Sequence, residues 1–223
     1  MNLQEILEQN DLVMSINNNF NVLSFYIPEI ECMVEFNQKQ PQHQHDLWNH
    51  TLLSLFRAEE NDYTDFDVRL ALLLHDIGKP FAYIEGPIRH YYNVSGASTK
   101  MAYVILKRLG YEEAFINKIL YLIKNCNGII DDDVIERNPV LAEKLYEVQY
   151  CDIMAQDTKY LKDRVDYLTT TNYKLKKEEV DYIRRDNLFL FFLKFRYNFS
   201  GHIHNFMIII YSYSFTKSFT SNS

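Results

Sequence analysis

An all-α fold is what the chain predicts, and three observations predict it. Glycine and proline are scarce, at six and five among 223 residues. Apolar residues recur at three- and four-residue spacing through the middle of the chain, with no competing strand alternation. The periodic stretches are bounded by helix punctuation, acids or Ser/Asn in front and Gly behind. Hydrophobic residues make up 47 % of the chain, enough for one sizeable core and hence a single domain.

The first strong helix is in "HDLWNHTLLSLFRAEE", where Leu47, Trp48, Leu52, Leu55 and Phe56 form an apolar stripe with His50 beside it, one turn from Asp46. "DFDVRLALLLHDIGKP" starts on acids, is apolar on most faces, and is expected to stop at Gly78 and Pro80. A helix apolar nearly all round is a central one. "SGASTKMAYVILKRLG" has a Ser-rich start, a basic last turn and Gly110 as C-terminal cap, and "EEAFINKILYLIKNCNG" repeats that order with Gly128 behind it. "NPVLAEKLYEVQYCDIMAQDTKYLKDRVDYL" predicts one long helix or a broken pair, starting near Asn138 with Pro139 at the first helical position.

At about Arg185 the composition changes, so the domain is expected to span 1–185 and a tail 186–223. The tail is crowded with Phe, Tyr, Ile and Ser and lacks helical periodicity. It reads either as a last helix with a frayed end or as an out-of-frame stretch of AT-rich coding sequence. Lys194, Arg196 and "SGHIHN" interrupt it, so it does not supply the roughly 20 apolar residues that span a bilayer.

The net charge of -7 argues against a protein whose main work is neutralising nucleic-acid phosphates. RNA is thus a possible but disfavoured partner, and a small phosphorylated compound held by local cations fits better. Cys32, Cys126 and Cys151, odd in number and without paired spacing, read as reduced thiols of a cytoplasmic protein. The acidic start "MNLQEILEQNDL" lacks the basic lead and apolar run of a signal peptide.

Four polar residues interrupt helices that should be apolar: His50, the adjacent His75 and Asp76, and Asp152 in "YCDIMAQ". Each alone reads as a salt-bridged or hydrogen-bonded core residue. Together, two buried carboxylates beside two imidazoles need a common partner, because an unpaired buried carboxylate costs several kcal/mol or more. A divalent cation such as Mn, Fe, Co, Ni or Mg meets that need with a mixed oxygen and nitrogen ligand set.

"NHT" at His50, "LLHDIGKP" at His75 and Asp76, and "CDIMAQ" at Asp152 resemble the ordered signature of the HD-domain phosphohydrolase superfamily. More narrowly, "IPEIECMVEFNQKQPQHQHDLWNHTLLSL" resembles the HD domain of bacterial tRNA nucleotidyltransferases and poly(A) polymerases. The matching positions are Pro28, Glu29, Gln40 or Gln42, His43, Asp46, His50 and Thr51, and the resemblance runs from about Val22 to Gln156. Two departures stand out. "HYYNV" keeps His90 but has Asn93 and Val94 where that subgroup has a Gly and a second His, and the nucleotidyltransferase head is absent from this sequence, so nucleotide addition is not expected of it.

The resemblance implies a single HD-domain helical bundle that hydrolyses a phosphate ester. His50, His75, Asp76 and Asp152 would hold the metal. Asp76 would orient or deprotonate water, and Lys79 would face the developing negative charge, unless Lys79 is simply an exposed lysine favoured by a helix C-terminus. Arg89 and His90, in the polar loop after the central helices, are candidates for substrate contact, and His43 either joins the site or belongs to a solvated lead-in. The alternative to an enzyme is a non-catalytic HD module that binds RNA ends or a nucleotide.

Overall fold

The structure, a computed structural model, describes residues 1–177; the expected boundary near Arg185 and the tail lie outside the described residues. Three short helices come first, α1 (Leu3–Leu7), α2 (Leu12–Asn18) and α3 (Phe20–Tyr26), followed by a 3₁₀ segment at Pro28–Met33. None was expected from periodicity, since a run of one or two turns shows too little of a 3.6-residue repeat. Asn2 and Glu5 close a capping box on α1, and Leu3, Ile6, Leu7, Leu12, Ile16 and Leu23 are buried.

The expected helices follow. In α4 (Leu47–Glu60), Asp46 is the N-cap and accepts the Asn49 amide at 2.9 Å. Its buried face is Leu47, Trp48, His50, Thr51, Ser54, Leu55 and Ala58, while Phe56 is exposed rather than part of the stripe. Thr51 and Ser54 are tolerated there because each hydroxyl donates to the carbonyl four residues back, Leu47 and His50, both at 3.0 Å.

α5 (Phe66–Leu74) is capped by Asp65 and buried from Asp67 to Leu74, so it is the central helix, packed on α1, α4, α7 (Glu113–Lys124) and α9 (Pro139–Met154). Its two buried charges are both engaged. Asp67 pairs with Lys118 of α7 and Lys144 of α9. Arg69 donates to the carbonyls of Leu7 (2.7 Å), Gln9 (3.0 Å) and Tyr63 (2.9 Å), fastening the C-terminal end of α1 to the core.

α6 (Val94–Arg108) packs on α7 and ends with Gly110 at φ +80°. Its N-cap is Asn93 in the left-handed region, not a serine. Between α5 and α6 lies a hairpin of two-residue strands, β1 (Tyr83–Ile84) and β2 (His90–Tyr91), too short to leave an alternation in the sequence. α8 (Asp132–Arg137) precedes α9, where Asn138 accepts the Leu141 amide ahead of Pro139. The long C-terminal stretch is a broken pair: α9 stops at Met154, and helix resumes over 162–177, here α10. Cys32, Cys126 and Cys151 are unpaired. Among the described residues no helix is long and apolar enough to cross a membrane.

Candidate metal centre and its cavity

The mutual packing of α4, α5 and α9 brings His50, His75, Asp76 and Asp152 together, each at most 5 % exposed. His50 comes from the middle of α4 and Asp152 from the last turns of α9. The doublet lies just past the end of α5, which finishes at Leu74 rather than at Gly78. The physical reason is in His75: its Nδ1–H donates to the Leu72 carbonyl at 2.7 Å, the acceptor that the Asp76 amide would use in a continued helix. That bond holds the proton on Nδ1, so Nε2 is the nitrogen that takes up a cation, a proton or a metal ion.

The four side chains converge. Asp152 Oδ1 is 3.1 Å from His50 Nε2 and 3.5 Å from His75 Nε2, and Asp76 Oδ2 is 3.9 and 3.6 Å from the same two nitrogens. Yet neither Nε2 makes a hydrogen bond of acceptable direction, and both are shielded from water. Two buried imidazole nitrogens aimed at two carboxylates without bonding them is the arrangement expected of donors that share a cation. His50, His75 and Asp76 form a group that could hold a metal ion, their ligand atoms lying within 4.8 Å of one another.

The electrostatics agree. Burial alone would lower the His75 pKa, but the Asp76 and Asp152 carboxylates outweigh it and raise it to about 9. Burial would raise Asp76, but Lys79 and His75 bring it down to about 2, and Asp152 is likewise held well below the usual range, against burial, by the two imidazoles. The cluster draws in positive charge.

Above it opens a cavity of about 330 Å³, whose lining includes Asp76, Asp152, Lys79, His43, Tyr91 and Arg164. Lys79 is buried, not solvated: its ammonium lies 3.0 Å from Asp76 Oδ2 and donates to His43 Nε2 at 3.2 Å. Burial first, then the Lys79 and His50 charges, depress the His43 pKa to about 3, so His43 is a neutral acceptor. Gln156, one turn after Asp152, donates to its Oδ1 at 3.1 Å.

Arg89 and His90 stand apart from the cavity lining. His90 is exposed on β2. The Arg89 guanidinium lies 4.4 Å from the ring centroids of both Phe36 and Tyr83 and bonds Glu85 at 2.9 Å, so it pins the hairpin to the segment before α4. Tyr91 is the hairpin residue that lines the cavity. Of the other positions in the resemblance, Gln40, Gln42 and His43 line the cavity, Asp46 caps α4, and Glu29 clamps Arg108 of α6 with both oxygens at 2.8 Å. Sequence reading missed Tyr91, Gln156 and Arg164. Gln156 had a signal, its four-residue spacing from Asp152, whereas Arg164 depended on a helix break that the sequence left open.

No family model matches the chain. Over 81 residues it is 35 % identical to the multifunctional CCA protein of Acinetobacter baumannii, a match covering 36 % of this chain and 19 % of that protein. The chain thus spans about a fifth of the length of the curated relative it matches. What stands together is a helical bundle similar in part to a CCA protein, with a buried His/Asp cluster that could hold a metal ion.

Proposed function

We propose that this chain is a metal-dependent phosphohydrolase of the HD type, cleaving a phosphate ester of a small nucleotide, a 2′,3′-cyclic phosphate or a related compound. The observation that carries the reading is the convergence of two unpartnered, buried imidazole nitrogens, His50 and His75, on two carboxylates, Asp76 and Asp152, that line a cavity also holding cations. His50 and His75 would hold the ion through Nε2, and Asp76 and Asp152 through carboxylate oxygens. A divalent ion there supplies Lewis acidity and a lowered pKa for bound water.

The chain's own residues do the rest. Asp76, which lines the cavity, would orient or deprotonate an attacking water. Lys79, fixed by Asp76 and by the neutral His43, would present its ammonium to phosphoryl oxygens as charge builds on them. Gln156 would keep Asp152 in its ligating orientation. The relation to a CCA protein also points to an RNA end as ligand, but the net charge of -7 and the 330 Å³ cavity favour a small phosphorylated compound.

Elemental analysis of purified wild type beside Asp76→Ala tests the metal, and phosphatase and cyclic phosphodiesterase assays with added Mn, Ni, Co, Fe or Mg test the reaction. Metal retained by wild type, lost in the variant and required for hydrolysis is the expected result. No metal and no hydrolysis with any of these ions would refute the reading in favour of a non-catalytic module that binds RNA ends or a nucleotide.

A further inference from the structure

We propose that Arg164 selects the ligand of the cavity, its guanidinium gripping two oxygens of a terminal or cyclic phosphate that Lys79 alone would hold only as a point charge. This rests on the phosphate-ester reading above and adds to it the residue that sets anion specificity.

Arg164 stands in the first turn of α10 and lines the cavity together with Lys79. The two cations differ in how their charge is met. Lys79 is paired with Asp76 at 3.0 Å. Arg164 makes no ion pair among the described residues, and its protein hydrogen bond is a long one, Nη2 to the Cys126 carbonyl at 3.4 Å. The guanidinium is nevertheless held in orientation, 4.8 Å from the centroid of the Tyr167 ring. Tyr167 is itself anchored, its hydroxyl oxygen accepting the Ile130 amide at 2.6 Å.

An arginine carries five N–H donors in a rigid fork, and most of these are left without an acceptor among the described residues. Half-burial disfavours the charged form and lowers the Arg164 pKa, with Tyr167 and Asp152 acting against it. The group stays charged. A desolvated, oriented and unneutralised guanidinium beside a cluster that seeks a cation is complementary to an anion bound next to that cation. A fork matched to two oxygens on one atom favours phosphate, which Lys cannot grip in the same bidentate way.

The test is calorimetric binding of inorganic phosphate to Mn²⁺-loaded wild type, Arg164→Lys and Arg164→Met, and of inorganic phosphate, adenosine 2′-monophosphate and adenosine to the same proteins in the presence of a chelator. Melting temperature and Mn²⁺ binding are measured on the same proteins without chelator. The expected result is a loss of roughly tenfold or more in affinity for both phosphates in Arg164→Met, with adenosine unaffected. Arg164→Lys should recover only part of it, and Mn²⁺ binding and melting temperature should stay at wild-type values. If Arg164→Met does not fold, Arg164→Lys carries the comparison. Phosphate binding that is absent in wild type, or equal in wild type and both variants, overturns the inference. The two proposals fail separately. Ester hydrolysis with an unchanged KM in Arg164→Met removes the role of Arg164 and leaves the phosphohydrolase. Arg164-dependent phosphate binding without hydrolysis of any ester does the reverse.

Discussion

Gly78 is the residue on which the site's position most directly depends. Its φ of -84° is ordinary for any residue, so it is not needed for backbone freedom. What it allows is contact: a Cβ there would stand 2.3 Å from the Ser98 amide nitrogen, 2.5 Å from the Ala97 carbonyl carbon and 2.8 Å from Ala97 Cβ. These are mostly backbone atoms of α6, which cannot swing aside. Restoring an ordinary contact of 3.4 Å from 2.3 Å moves the doublet turn and α6 apart by about 1.1 Å. The shift also strains the bond from the Gly78 amide to Ser98 Oγ, now 3.0 Å. Overpacking costs about 1–3 kcal/mol and the lost bond about 1 kcal/mol, so Gly78→Ala should destabilise the protein by roughly 2–4 kcal/mol. Because His75 and Asp76 ride on the same turn, metal affinity should fall with it. Two controls separate the causes. Ser98→Ala removes only the hydrogen bond, about 1 kcal/mol. Gly110→Ala meets nothing within 4 Å but sits at φ +80°, so it tests backbone strain alone, at about 1–2 kcal/mol, and leaves metal binding untouched. Urea denaturation and Mn²⁺ titration of the three variants read the outcome. A Gly78→Ala protein as stable as wild type and equally good at binding metal would show that α6 does not press on the doublet turn as described.

Two further expectations concern the frame around the site. Arg69→Met leaves one buried and two partly buried carbonyls without their donor and should lower stability by about 3 kcal/mol, with Arg69→Lys recovering only part because an ammonium cannot reach all three in the fork geometry; an unshifted urea midpoint would refute the tie between α1 and α5. Glu147 on α9 has its pKa raised from 4.5 to about 7, chiefly by burial and then by Glu143 and Asp65. The folded state therefore favours the protonated acid, so its contribution is full below about pH 4.5 and drains away as pH rises to about 7. Glu147→Gln should be more stable than wild type at pH 8 and no more stable at pH 4, and a pH-independent difference in melting temperature would count against this account.

What was legible in the sequence is what repeats or what jars. α4 through α7 and α9 were readable because an apolar period met caps such as Asp46, Asp65 and Asn138 at the expected ends. His50, His75, Asp76 and Asp152 were readable because a polar group in a buried helix face demands a partner. The three N-terminal helices and the two-residue strands were not, since neither is long enough to express a period. Phe56 misled because size and hydrophobicity say nothing of which side of a helix edge a residue falls on. Arg89 looked like a substrate contact in a polar loop, yet Phe36 and Tyr83, one of them far off in sequence, take up its cation. Arg164 was hidden for the opposite reason: its role depends on α9 breaking at Met154, so that a new helix can begin beside the cavity.

The end of α5 is where fold and site become one feature. A helix ending at Leu74 leaves its last-turn carbonyls to be met by other donors, and the Leu74 carbonyl accepts the Ile77 amide at 3.3 Å. One of those carbonyls, Leu72, is taken by His75, which both stops the helix and turns Nε2 toward Asp152. The same turn then carries Asp76 and Lys79 into the cavity three residues apart. A continuous helix would keep Asp76 and Lys79 near one face but turn His75 about 100° away from Asp76, and a longer loop would let them wander. A tight turn locked by His75 on one side and by Gly78 against α6 on the other presents acid, imidazole and ammonium to one small volume. That explains why the doublet is followed so closely by a glycine, and why removing the glycine should reach the metal site without touching a ligand.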